Sequence, residues 1–539
     1  MGSDRFRTSV LLIILLFAAI QIFYAQRLAL VMDEFDGVYE AHRLRRDVPY
    51  RDFTPYKTVL GYYIQYPATL VASTVWGRIV ALKVELVIIN ALMLGAAGLY
   101  CSRFLSGGAT AISLAMLAAS SVMLERAGEI RVDMLTAWAG LWSFLFLIRG
   151  RFALAGALGA LSFAVSQKAA LYVIASDVVL IAAIAMDRDR RAAFRSFAAF
   201  NIAAAAGLLA YLGFWSVVGD PQTVLRATFL AASQTAMTVD YDIQWRFWSQ
   251  VLVRNFFFFL MAGAAVVVLV RRRDDAVARG VSVYAAVLLL LSAVYTQPWP
   301  YFFVILFPTL FVLVAAFLDR IGSPRLLVAA CVVLGVLYPL HRLLVVPDRS
   351  NEYQRYNVSL AAALLGEGET YLAANDIIHD REQAVRSLSR LDAIGLRLLE
   401  ERGPQHHEQL IRDLDRNPPK LIIGTYRIYH LPQMMLEYIA QQYARLSGSV
   451  YLYAPLVPRG EGTLNVRFPG RYRVEVQTGG SAVVDGDAVP NGTMIDLQAG
   501  PHRIATPAPL RLRLLPAGIE ALIDPQYADE RIFYPQVYD

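Results

Sequence analysis

Two acidic clusters border apolar stretches of this 539-residue chain. The first opens Met32-Asp33-Glu34-Phe35-Asp36-Gly37-Val38-Tyr39-Glu40, directly after an apolar run. Folded as a helix, this segment puts Asp33 and Asp36 on one face. Like charges crowded at a low-dielectric boundary raise one another's pKa. That suits one carboxylate to act as general base on a hydroxyl. The bland alternative is a solvated loop. The second cluster holds Glu125, Glu129, Arg131 and Asp133. Its acids recur at four-residue intervals, so a continuous helix carries them as one stripe into the next apolar stretch. Such a stripe can bind an acceptor amine or hydroxyls, a metal ion, or the Arg131 guanidinium; Arg131 is equally read as a structural counter-ion.

Cations complement these acids. Lys57 and Lys168 are two of only four lysines in the chain, the others being Lys83 and Lys420. A lysine at a membrane edge can simply snorkel, or it can neutralise a departing phosphate. Tyr295, Trp299 and Tyr301 are expected to line a lipid or sugar path, or to form an ordinary interfacial aromatic belt. A base plus cations, without a P-loop, GxGxxG, HExxH or CxxC motif, fits a polyprenyl-phosphate sugar donor. Its leaving group is already a stabilised anion, so one base and one or two cations suffice. The acceptor is a lipid, a glycan or a protein hydroxyl. The residues name no cofactor: a divalent cation between Asp33 and the second cluster fits them, and paired bases without a metal fit them as well. His406-His407 lack a matching ligand set and read as a solvated pair in a polar loop.

These groups work together only if a membrane places them on one face. The chain is 57% hydrophobic and 17% charged, with a mean hydropathy of +0.45. Soluble domains carry about 25% charged residues. This excludes a disordered chain, a disulfide scaffold and an ordinary soluble enzyme, and membrane lipids are the expected surroundings. Two cysteines, Cys101 and Cys331, support no disulfide framework. The net charge of +6 does not point to nucleic acid, because the arginines collect in short loops between apolar runs.

A membrane-spanning helix needs about 20 apolar residues. The expected spans are 9–31, 79–101, 109–124, 134–149, 152–168, 169–186, 196–218, 248–270, 280–297, 300–318 and 325–346, about eleven in all. The first is too long for a signal-peptide core and no clear cleavage site follows it. Every second loop is basic: Arg5 and Arg7, then Arg103, Arg149 and Arg151, Arg188 to Arg195, Arg271 to Arg279, and Arg320 with Arg325. The positive-inside rule puts these loops and the N-terminus in the cytoplasm. The loops 32–78, 125–133, 219–247 (with Asp240, Asp242, Trp245 and Arg246) and 295–301 then share the outer face, as does everything after about 347.

Beyond 350 the apolar runs end. Tyr371–Ala374, Lys420–Gly424 and Val450–Ala454 read as strands, and 381–400 and 431–446 as helices, a small α/β unit. From about 461 the pattern alternates with period two between turns at Pro469-Gly470, Asp485-Gly486 and Asn491-Gly492. That is a small antiparallel β-sandwich, read as a lid, spacer or partner-binding module.

The run from Asp33 to Pro67 resembles the first outer loop of the GT-C superfamily of membrane glycosyltransferases, in the bacterial branch related to protein O-mannosyltransferases and lipid A aminoarabinose transferases. The shared features are the acidic pair Asp33-Glu34, the stretch Pro49-Tyr50-Arg51-Asp52-Phe53, and the turn Pro55-Tyr56-Lys57. Glu129-Ile130-Arg131-Val132-Asp133 resembles the family's second acidic motif, and Tyr301 to Pro308 its late Tyr–Pro pattern. The chain departs from many members in having Thr-Pro-Tyr-Lys at 54–57.

The resemblance implies a transmembrane GT-C-like catalytic domain at 1–346, followed by extracytoplasmic α/β (347–460) and β-sandwich-like (461–539) regions. It implies an inner-membrane glycosyltransferase that works on the periplasmic side by inverting displacement. Asp33 is then the base, with Glu34 and Asp133 orienting the acceptor or sharing its proton. Asp36 and Glu129 support them, and Lys57, Lys168 and Arg131 hold the phosphate. Two other classes compete: a transporter or flippase of lipid-linked sugars, for which charges at one membrane edge and the lack of a repeat are unfavourable, and a non-catalytic envelope assembly subunit.

Overall fold

The apolar runs fold as helices. The structure, a computed structural model, describes residues 3–186, 189–230, 244–272, 275–296, 298–322, 324–345 and 350–533. Arg188, Asp240, Asp242, Arg273 and the expected domain boundary at 346–347 lie outside these residues. Asp4–Arg27, Val75–Cys101, Gln167–Met186 and Arg190–Val218 are long and apolar enough to cross a membrane. Shorter apolar helices cover Gly107–Ala119, Asp133–Ile148, Phe152–Val165, Val277–Ala293 and Arg325–His341. The helix Phe307–Arg320 is buried along its whole length from Phe307 to Leu318. A helix that is apolar all round needs neighbours all round, and this one is the centre of the helical half.

The run expected as one span at 248–270 is two helices. Trp245–Arg254 and Phe256–Val270 meet at 94°. Asn255 makes the break. Its Oδ1 accepts the Ser121 N–H, and its Nδ2 donates to Ser121 Oγ and the Val251 carbonyl. The preceding helix is amphipathic, burying Phe247, Trp248 and Val251 while Trp245 is exposed. The continuous acidic stripe is also absent. A π-turn covers Val122–Arg126, irregular turns follow, and a new helix begins only at Asp133.

The chain divides into two compact units: Met1–Leu28 with Glu40–Ala72 and Arg78–Arg349, and Ala29–Tyr39 with Ser73–Gly77 and Ser350–Asp539. The second therefore includes the Asp33 segment. Its α/β part has the strands β1 (Tyr371–Leu372), β2 (Leu421–Ile423), β3 (Tyr443–Ser447) and β4 (Val450–Tyr453) in the order β1-β2-β4-β3. β1 and β2 are parallel, and β4 runs antiparallel to both β2 and β3. The helix expected at 381–400 is confined to Ala393–Glu401, where the Asp392 side chain caps it by accepting the Gly395 N–H. Residues 443–446, expected to end a helix, begin β3 instead. His406 and His407 lie in the helix Pro404–Arg416, not in a loop. Pro404 favours its first turn, and buried His407 bonds the Leu399 carbonyl. Beyond these, two four-stranded sheets at 456–514 give the expected β architecture, with Tyr472, Val474 and Val476 alternating inward.

Candidate functional site

Asp133 is the first residue of its helix, where the macrodipole favours a carboxylate. Three cations converge on it: Lys168 Nζ at 2.6 Å, Arg131 Nε at 3.1 Å and Lys57 Nζ at 3.2 Å. The chain sets each in place. Lys57 follows a tight loop in which Tyr50 takes φ +62° and lies buried. The Tyr50 hydroxyl meets that of Tyr211 at 2.7 Å, and its carbonyl accepts the Asp220 N–H. Thr58 donates to the Phe163 carbonyl, and the Val59 N–H donates to Tyr211. Gly61 runs so close to Val132 that a Cβ there would collide with its side chain. The Gln65 amide donates to the Arg131 carbonyl. Lys168 sits in the short turn Gln167–Ala169, capped by Ser166.

Tyr301 completes this cluster. Its ring lies 3.3 Å from the Arg131 guanidinium carbon and 4.7 Å from Lys168 Nζ, a cation–π arrangement with two partners. Burial pulls the Lys57 ammonium down to about 7; Asp133 opposes the shift, while Lys168 and Arg131 add to it. A lysine under that repulsion gains from a further anion. Two flanking acids are paired elsewhere: Glu129 with Arg126 at 2.8 Å, and Glu125 with Arg254 at 2.9 Å. Tyr295 stacks on Phe302, with centroids 4.4 Å apart, and Trp299 packs on Phe247 at 5.0 Å. Of the three aromatic candidates, Tyr301 has cation–π contacts with cations of Asp133.

Met32–Arg43 is a helix whose residues to Tyr39 belong to the second unit, and Asp33 and Asp36 fall on one partly exposed face as expected. Gln354 holds the entry to this helix, its amide accepting the Leu30 N–H at 2.7 Å and donating to the Leu30 carbonyl at 2.9 Å. Glu34 is buried, and its Oε2 accepts the Val31 N–H at 3.0 Å. That is the backbone half of a capping box. Arg427 Nη2 stands 3.4 Å from Asp33 Oδ1. Arg390 Nε lies 2.9 Å from Asp376 Oδ2 and 3.9 Å from Asp36 Oδ1. Desolvation pushes Asp36 up to about 7; Asp376 and Asp33 add to the shift, and Arg390 and Arg427 counter it.

Sequence reasoning missed Arg390, Arg427, Asp376 and Gln354. They lie more than 300 positions from the helix they serve, and spacing carries no signal over that range. The nearest local sign is the placement of Arg427 just past a short apolar strand. Among the described residues, no group of three or more His, Cys, Asp or Glu side chains is placed to hold a metal ion. Asp133, ringed by cations, is a poor ligand for one.

No family model and no curated protein matches the sequence. Solved structures do. ArnT from Cupriavidus metallidurans in the apo state superposes with a TM-score of 0.60 at 12% identity, over 83% of this chain and 98% of that one. The same protein bound to undecaprenyl phosphate gives 0.47 at 15% identity, over 73% and 72%. The Archaeoglobus fulgidus oligosaccharyltransferase in complex with zinc and sulfate gives 0.46 at 10% identity, over 96% and 100%.

Proposed function

The chain has the GT-C fold, and from that premise we propose that it is a membrane glycosyltransferase using a polyprenyl-phosphate sugar. One observation carries the reading: three cations gather on the single carboxylate Asp133 beside Tyr301. Such a cluster suits an anion with several oxygens, and a phosphate matches its charge. Lys57, Lys168 and Arg131 take the donor phosphate, and Asp133 fixes their positions. Asp33 is the base. It accepts the proton of the acceptor hydroxyl as that oxygen bonds to the anomeric carbon. The bond from that carbon to the phosphate oxygen breaks, and the polyprenyl phosphate leaves with the electron pair, its charge held by the cations. A single displacement inverts the anomeric centre. The acceptor is a lipid, a glycan or a protein hydroxyl. The reading places the protein in the bacterial inner membrane, with a cytoplasmic N-terminus and a periplasmic C-terminal region.

The test is detergent-purified protein given a polyprenyl-phosphate sugar, with release of polyprenyl phosphate as the readout. Release that depends on Asp33 and Lys168 supports the reading. A protein that binds the lipid but leaves the sugar bond intact is a transporter or an assembly subunit.

A further inference from the structure

β1 and β2 run parallel, so the segments after them leave the sheet at one edge. In sheets of this kind, functional groups gather at the carboxyl ends of the strands. Here those segments carry charge toward the face of Asp33 and Asp36. After β1 comes Asp376, which accepts from Arg390 at 2.9 Å and from Gln383 at 3.0 Å. After β2 comes Arg427. Its turn is fixed by Thr425, whose hydroxyl donates to the Ala373 carbonyl and accepts the Ile428 N–H. The Arg427 side chain is only 8% exposed and meets Asp33 at 3.4 Å. A guanidinium kept out of water is costly unless an anion compensates it.

We propose that Arg427 is a positioning residue of the transfer reaction: from the carboxyl end of β2 it holds the Asp33 carboxylate oriented and ionised. The inference rests on the reading of Asp33 as the base. Asp36 shares the helix of Asp33 and disfavours a second negative charge beside it. Arg427, at 3.4 Å, opposes it, and the Tyr426 ring lies under Arg427 with its centroid 5.9 Å from the guanidinium. Around Asp36, Asp376 and Arg390 add one charge of each sign. On this proposal, loss of Arg427 leaves Asp33 facing Asp36 without its guanidinium and lets it keep its proton to higher pH.

The experiment is the pH profile of kcat/KM for Arg427→Gln, Arg427→Lys, Asp33→Asn and the Asp33→Asn/Arg427→Gln double variant, with undecaprenyl phosphate binding measured alongside. An arginine beside an aspartate lowers its pKa by about 1–3 units. The acidic limb of Arg427→Gln should therefore move up by about 1 unit, with activity roughly tenfold lower at acidic pH and within about twofold at the alkaline plateau. Arg427→Lys should restore most of the shift, lipid binding should not change, and the double variant should be no worse than Asp33→Asn. An even loss at every pH, or an unmoved limb, overturns the proposal while Asp33→Asn remains inactive. An active Asp33→Asn variant overturns the reading of the base instead. Should Arg427→Gln fail to fold, Arg427→Met takes its place: an acidic limb displaced upward from wild type supports the proposal, and an unmoved one overturns it.

Discussion

The two charged clusters are built with opposite bias. Around Asp133, one carboxylate meets three cations. Around Asp36, the three carboxylates Asp33, Asp36 and Asp376 meet the two arginines Arg390 and Arg427. On the proposed reading the first bias makes a place for an anion, with its acid as a structural anchor. The second crowds acids, and desolvation with that crowding pushes Asp36 up to about 7. On the proposed reading, acidic residues that look interchangeable in the sequence are given different work by their neighbours.

Removing the anchor is the hardest test of this contrast. Asp133 is buried, and losing one member of a buried ion network costs about 3–5 kcal/mol. Asp133→Ala should lower the melting temperature in detergent sharply or prevent purification. Asp33→Asn, at a side chain 35% exposed and with Asp36 still acting on Arg427, should lose less stability than Asp133→Ala. Its turnover should fall by about 100- to 10,000-fold, the typical contribution of a general base. Equal losses of stability in the two variants would erase the distinction between anchor and base.

The next effect belongs to the anion. A hydrogen bond to a charged group contributes about 1.5–3 kcal/mol. Lys168→Met should therefore weaken undecaprenyl phosphate binding by roughly 10- to 100-fold. Asp133 keeps Arg131 and Lys57 as partners, so the melting temperature should hold. Undiminished affinity would make Lys168 a snorkelling lysine and leave the cluster without its proposed ligand.

The two clusters should also tilt stability with pH in opposite directions. Lys57 sits near 7 in the fold, below its ordinary 10.5. The folded state then binds fewer protons than the unfolded chain between those values, so stability rises with pH across that window. Asp36 sits near 7, above its ordinary 3.8. Here the folded state binds more protons, and the contribution is full below about 4 and lost as pH rises through about 7. Lys57→Met should flatten the alkaline slope of the melting temperature, and Asp36→Asn the acidic one. An anion beside Lys57 favours its charged form, so lipid binding above pH 7 should take up protons, measurable by calorimetry in buffers of different ionisation enthalpy.

Local pattern revealed much of this. The apolar runs gave the helices, and the three-residue spacing of Asp33 and Asp36 gave their common face. The gathering of Lys57, Lys168 and Arg131 followed from their types and their loops. What pattern could not show was geometry broken by single polar residues. Asn255 turns an apolar run through 94°, and the turns after Val122 separate Glu125 and Glu129 from Asp133. Long-range partners were hidden as well, because nothing near Arg427 or Gln354 in the sequence names the helix that each one holds.

Glu34 gives the smallest effect and the finest discrimination between an acid that holds structure and one that moves protons. The acidic pair after an apolar run suggests two working carboxylates, yet Glu34 is buried and its Oε2 accepts the Val31 N–H. A glutamine can accept the same bond. Glu34→Gln should therefore keep turnover within about twofold, while Glu34→Ala, which loses the acceptor, should cost about 1 kcal/mol of stability, the usual size of a capping interaction. A Glu34→Gln variant that folds normally but loses turnover 100-fold or more would mean that the proton passes through Glu34 too, and that the acid-rich cluster works through a pair of carboxylates instead of Asp33 alone.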